Sequence, residues 1–241
     1  MVFRQPLKNV LAVGAHPDDL EILCAGTLAK YVSQGVKVTM AIATDGRGGH
    51  MVIPPKELAE IRHREAESSA KIIGADFYWL GDYVDIMLFE DIATRLRFVE
   101  LIRKVKPELI LTHSAEDYHP DHRIVSRLML DASFVAGQKN VLTESPFHPG
   151  VQGLYYFDTL SGVNFRPVEF VNVTDTFKTK REMLACHASQ VSWLKDHDDV
   201  DMFQMMEALI RARGAQCGVT YAEAFRAEPA SMRVSTNRML P

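Results

Sequence analysis

Short apolar runs alternate along this chain with stretches whose apolar positions recur every three to four residues. Asn9–Ala15 is almost continuously apolar and predicts a strand buried on both faces. Ala25–Gln34 predicts a helix, Gly35 a turn, and Val36–Ala43 a second buried strand. The segment 44–55 carries Gly46, Gly48, Gly49, Pro54 and Pro55, which predicts a loop. An amphipathic helix is expected over Lys56–Ile73, closed by Gly74 as its C-terminal cap. Phe77–Leu80 predicts a short strand, Ile92–Lys106 a helix stopped by Pro107, and Leu109–Thr112 another strand. Pro120 suits the first turn of the next helix. Leu154–Phe157 and Phe170–Val173 read as further strands, and Phe177–Leu194 and Val200–Arg213 as helices.

Strand–helix alternation predicts an α/β fold, a Rossmann-like three-layer arrangement with a mostly parallel sheet covered on both faces. The expected organisation is one domain over residues 1–241. In such folds ligands sit beyond the carboxyl ends of the strands. Three segments would meet there: the glycine-rich loop after the second strand, and two polar clusters that follow strands directly.

Those clusters carry the candidate chemistry. They are His16-Pro17-Asp18-Asp19 and His119-Pro120-Asp121-His122. His16 and Asp19 are three apart, a spacing that puts both side chains on one side of a turn. His122 can add a third ligand for a divalent metal. Two imidazoles and one carboxylate leave coordination positions open for water and substrate, as catalytic zinc requires. Asp18, beside a ligand but directed elsewhere, is then the natural general base. His119 can stabilise an oxyanion or protonate a leaving group, and Asp121 can orient His119 through its other ring nitrogen. Either cluster alone would read better as a helix cap. Two of them after strands favour a site.

The remaining histidines carry weaker signals. His113 ends a strand near the second cluster. His63 lies on a predicted helix surface. His50, in the glycine-rich loop, is a candidate substrate contact. The loop Asp45-Gly46-Arg47-Gly48-Gly49 lacks both the Lys-Ser/Thr ending of a P-loop and the dinucleotide spacing, so it reads as a turn lining the pocket.

Composition narrows the function class. The net charge is -4 with no long basic run, which argues against a nucleic-acid surface. Three scattered cysteines give neither a CxxC site nor a disulfide framework, so a cytoplasmic location is expected. No stretch approaches membrane-spanning length, and none has the form of a signal peptide.

The chain resembles the LmbE/PIG-L family of zinc-dependent N-deacetylases. The match rests on Ala15-His16-Pro17-Asp18-Asp19 with Glu21 and Ala25-Gly26-Thr27-Leu28, on Asp117-Tyr118-His119-Pro120-Asp121-His122, on Thr44-Asp45-Gly46, and on Ile61-Arg62-His63-Arg64-Glu65. Ser189-Gln190, Gly218-Val219 and Tyr221-Ala222-Glu223-Ala224-Phe225 resemble a narrower branch that deacetylates N-acetylglucosaminyl-malate in bacillithiol synthesis. The resemblance implies that His16, Asp19 and His122 bind Zn²⁺, with Fe²⁺ or Co²⁺ as alternatives. It implies that Asp18 is the base, that His119 assists the tetrahedral intermediate and leaving amine, and that Arg62 and Asp85 bind substrate. Arg62 would otherwise pair with Glu65 on the helix surface. The chain departs from the branch at His187, where relatives carry an oxyanion-contacting tyrosine, so His187 is a candidate replacement.

The function expected is hydrolysis of an N-acetylglucosamine-type amide to acetate and a free amino sugar, by a homo-oligomer such as a trimer or hexamer. The alternatives are a deacylase or amidase on another sugar or thiol conjugate, a non-haem Fe(II) oxygenase, and a non-catalytic sugar-binding module.

Overall fold

A computed structural model describes residues 7–231, 233–234 and 237–241. Seven strands form one sheet in the order β3-β2-β1-β4-β5-β7-β6. They are β1 (Asn9–Gly14), β2 (Lys37–Thr44), β3 (Asp76–Tyr83), β4 (Leu109–Thr112), β5 (Gly153–Phe157), β6 (Glu169–Asn172) and β7 (Ala222–Ala227). The first five pair in parallel, while β7 runs antiparallel between β5 and β6. The mostly parallel α/β fold expected from the alternation is therefore present.

The helices are α1 (Asp19–Leu23), α2 (Ala25–Ser33), α3 (Pro55–Ile73), α4 (Ile92–Val105), α5 (Pro120–Val135), α6 (Phe177–Ala185), α7 (Ala188–Asp198) and α8 (Met202–Cys217). Alternating residues of β1 feed two separate apolar layers. Val10 and Ala12 pack on one face and Leu11 and Val13 on the other, all of them buried. This double burial is why β1 reads as a continuous apolar run rather than an alternating one.

Local signals set the ends of the helices. Pro55 opens α3, and Gly74 closes it at φ 71°, a left-handed position that glycine takes without strain. The Asp91 carboxylate accepts the Thr94 N–H at 2.7 Å and caps α4. Asp201 caps α8 through the N–H groups of Phe203 and Gln204.

The sequence predicts neither α1 nor β7, and one predicted helix is divided. The helix expected over Phe177–Leu194 is two helices, broken at Cys186-His187. The cause is tertiary. Glu65 on α3 accepts both the N–H and the hydroxyl of Ser189, at 2.8 and 2.7 Å, and so caps a new helix start. Strand β7 also lacks a legible signal, because Ala222–Ala227 carries two charged residues, Glu223 and Arg226, three apart, and one of them, Glu223, is buried against Lys180.

The chain order reverses between β1 and β4. β2 and β3 lie on one side of β1, and β4 and β5 on the other. The segments leaving β1 and β4 therefore part to opposite sides and leave a crevice between them.

Candidate active site

Both histidine clusters stand at that crevice. Asp18 follows β1 at φ 108°. A non-glycine residue holds such a conformation only when its surroundings impose it. Arg62, only 3% exposed on α3, is the group that does so. Its Nη2 donates to Pro17 O at 2.6 Å and to Asp18 Oδ2 at 2.9 Å, and its Nη1 donates to Gly46 O at 3.0 Å. The pairing with Glu65 weighed from sequence does not form; Arg62 turns inward and Glu65 caps α7. The Asp18 carboxylate caps no amide of α1.

Each metal-candidate histidine has a carboxylate behind it. His122 Nδ1 lies 3.0 Å from Asp117 Oδ2, and His16 Nε2 lies 3.1 Å from Asp121 Oδ2. This turns His122 Nε2 and His16 Nδ1 toward each other at 3.3 Å. Asp19 completes the set, with Oδ1 3.3 Å from His122 Nε2 and Oδ2 3.4 Å from His16 Nδ1. Donor atoms bonded at about 2.0–2.1 Å to a tetrahedral ion stand about 3.3 Å apart. The two imidazole nitrogens therefore have the spacing of two corners around a small divalent cation, and the Asp19 carboxylate faces them with one oxygen toward each.

The sets whose single donor atoms all lie within 4.8 Å of one another are, among the described residues, His16, His119 and His122, and Asp19, His113 and His122, so two further imidazoles stand beside the expected ligands. Both are held otherwise. His119 Nδ1 accepts the Asp121 N–H and caps α5, so the helix-cap reading of this residue is also correct. His113 Nε2 sits 3.0 Å from the Ala15 N–H and 3.1 Å from Asp19 Oδ2, so that nitrogen is occupied in either tautomer.

The role expected for Asp121 is corrected. Its carboxylate does not reach the His119 ring nitrogen. Its Oδ2 accepts from the Ile86 N–H at 2.6 Å and meets His16 instead. The helix start explains this: Asp121 and His119 lie on different sides of the first turn, and only the Asp121 N–H faces His119. The sequence assigns Asp117 no role of its own. It lies five residues before His122, and the contact depends on a turn that no sequence periodicity encodes.

Charges follow from this packing. Burial opposes a charge on His16, but hydrogen bonds to Asp121 and Asp19 outweigh it and raise the pKa to about 10. His122 rises to about 9, burial again being overcome by Asp19 and Asp117. His119 falls to about 4, through burial and then the charges of His16 and His122. Asp18 rises to about 6 because burial outweighs the Arg62 guanidinium.

A cleft of about 250 Å³ opens over these groups. Asp18, Arg62, Asp85, Gln190 and the backbone of Gly48 and Gly49 line one part of it. Asp85 Oδ2 accepts the Gly48 N–H at 3.0 Å, while its Oδ1 is buried without a protein partner. Gln190 Oε1 is likewise buried and unpaired. Ile22, Leu160, Leu194, Met202 and Met205 line the rest.

Two candidates stand away from the cleft surface. His187 is wholly buried, with Nε2 3.3 Å from Glu21 Oε1 and Glu21 also bonded by the Ser69 hydroxyl. His50 packs its ring on Trp193 at 4.3 Å and accepts N–H bonds from Val52 and Ile53. Neither lines the pocket. His63, expected on the surface, is half-buried against the edges of Phe77 and Trp79.

Residues 11–133 match the PIG-L family, described as GlcNAc-PI de-N-acetylase. A diacetylchitobiose deacetylase of Thermococcus kodakarensis is 29% identical over 92% of this chain and 84% of its own length. A 4-oxalmesaconate hydratase of Pseudomonas putida is 27% identical over 77% of this chain and 75% of its own. In structure, the N,N'-diacetylchitobiose deacetylase of Pyrococcus horikoshii superposes with a TM-score of 0.82 at 26% identity, covering 92% of this chain and 84% of that one.

Proposed function

The chain belongs to the PIG-L family, and we propose that it is a metal-dependent N-deacetylase acting on an N-acetylglucosamine-type amide, releasing acetate and a free amino sugar. The triangle of His16 Nδ1, His122 Nε2 and an Asp19 carboxylate beside Asp18 carries this reading. Two imidazoles and a carboxylate are a donor set of catalytic zinc and also accept Fe²⁺ or Co²⁺. A cation held there supplies Lewis-acid polarisation of the amide carbonyl and a more acidic water.

The chain's own groups account for the rest. Asp18, with its pKa near 6, is ionised at neutral pH and still basic enough to take a proton from the attacking water. Arg62 fixes the direction of that carboxylate. His119 accepts at Nδ1, so in its neutral form Nε2 carries the hydrogen and donates it to the developing oxyanion. The proton on Asp18 then serves the departing amine. Asp85 Oδ1 and Gln190 Oε1 are unpaired acceptors suited to sugar hydroxyls. His187 and His50 stand outside the cleft lining and are assigned no contact with substrate. The reading includes a homo-oligomeric, cytoplasmic protein; no described helix is long and apolar enough to cross a membrane.

The test is the stoichiometry of products from N,N'-diacetylchitobiose and N-acetylglucosaminyl-malate. One free amine per acetate, lost on chelation and restored by Zn²⁺, is expected. Hydration of 4-oxalmesaconate without acetate release from any amide would instead place the chain with its hydratase relative.

A further inference from the structure

The reaction groups lie inside the segment that matches the family, residues 11–133. Four of the six apolar side chains facing them do not: Leu160, Leu194, Met202 and Met205 come from the later, unmatched part of the chain, and only Ile22 and Ile86 lie within it. This wall is built rather than incidental. Ile22 and Met202 are almost fully buried at the edge of the main core cluster, and Leu160, Leu194 and Met205 pack half-buried against it. Asp201 caps α8 and so fixes Met202 and Met205 on one helix face, three residues apart.

The wall offers no hydrogen-bond donor or acceptor from its side chains apart from two weakly accepting thioethers. Sugar hydroxyls placed against it would lose their water without gaining partners. An acetyl methyl is too small to cover side chains from three separate elements. The apolar character also continues outward. Ile86, itself a cleft residue, is 64% exposed, and Met87 and Phe89 on the same loop are 73% and 71% exposed.

We propose that the substrate carries an apolar group beyond the acetyl methyl, seated against Leu160, Leu194, Met202 and Met205. This rests on the deacetylase reading and narrows its substrate class from polar oligosaccharides to apolar glycoconjugates. Methionine suits such a wall because its unbranched thioether adapts to different alkyl or aryl shapes. The group is attached either through the glycosidic oxygen or through the acyl carbon.

Two substrate series read this out with the zinc-loaded enzyme. One holds the acetamide and lengthens the aglycone from methyl to propyl, hexyl and phenyl. The other holds a methyl glycoside and lengthens the acyl group from acetyl to butyryl and hexanoyl. Each methylene buried against the wall is worth roughly fourfold in kcat/KM. The hexyl or hexanoyl compound is therefore expected to exceed its shortest relative at least tenfold, and the hexyl glycoside to exceed diacetylchitobiose. A rise on the first series places the group on the aglycone, and a rise on the second places it on the acyl carbon. Leu194→Gln and Met205→Gln should each pull the long-to-short ratio toward one. Cleavage with a flat or falling profile on both series overturns the proposal and leaves the deacetylase reading intact. Cleavage of no compound removes both.

Discussion

Arg62 Nη2 donates at once to the Asp18 carboxylate, at 2.9 Å, and to the carbonyl of Pro17, at 2.6 Å. One buried guanidinium thereby holds both the left-handed backbone of Asp18 and the direction of its carboxylate. The arrangement requires the planar fork of arginine, which an ammonium cannot reproduce.

Replacement of Arg62 should therefore act on the base. Arg62→Lys keeps the charge but loses at least one of the bonds, and kcat should fall about 100-fold, as expected when a catalytic group shifts by roughly 1 Å. In Arg62→Ala the cation that lowers the Asp18 pKa is gone. The carboxylate then protonates at higher pH, and the acid limb of kcat/KM moves upward. For the wild type that limb lies at about pH 6, or lower once a cation adds its own pull. A limb in Arg62→Ala that stays in place or moves down would separate Asp18 from the role of base.

Metal uptake should release protons. The carboxylates around His16 and His122 raise their pKa values to about 10 and about 9, so the pair of rings holds proton that a cation must displace. Ligation needs neutral imidazoles. Calorimetry of Zn²⁺ binding in buffers of different ionisation enthalpy should show release of up to two protons near pH 7, and affinity should weaken as pH falls. Release of none would place the cation on other donors.

The paired carboxylates should govern affinity for metal more than fold. Asp117→Asn and Asp121→Asn should each weaken Zn²⁺ binding by about 10–100-fold. His119→Ala should leave one Zn²⁺ bound per chain while slowing turnover by about 100-fold. Equilibrium dialysis separates these outcomes, and loss of zinc in His119→Ala would assign His119 to the ligands.

Away from the cleft, Lys180 Nζ meets Glu223 at 2.5 Å, with both side chains fully buried. Glu223 also accepts the N–H groups of Gly26 and Thr27, which start α2. Lys180→Met leaves that carboxylate uncompensated and should cost about 3–5 kcal/mol in denaturant unfolding. A loss below 1 kcal/mol would show that the fold does not depend on this pairing.

The strand–helix alternation and the two clusters were legible because they depend on local patterns: a doubly buried β1, prolines at helix starts, and Gly74 after α3. The paired carboxylates were less legible. Asp121 was assigned to its sequence neighbour His119, whereas its partner is His16, brought across the crevice from β1 by the sheet order. The break at His187 was hidden for the same reason, since Glu65 on α3 supplies the cap. His187 read as a site residue from its motif, but burial against Glu21 keeps its ring from the cleft. The apolar wall arises from side chains scattered between residues 160 and 205 that only the fold assembles.

The most direct test of the central claim is acetate release from N-acetylglucosaminyl substrates by the zinc-loaded wild type and by Asp18→Asn, with bound zinc measured in both. The account predicts full zinc occupancy in each, release by the wild type, and a fall of at least 1,000-fold in the variant, about 4 kcal/mol of lost transition-state stabilisation. Release by Asp18→Asn at the wild-type rate with zinc in place would contradict it.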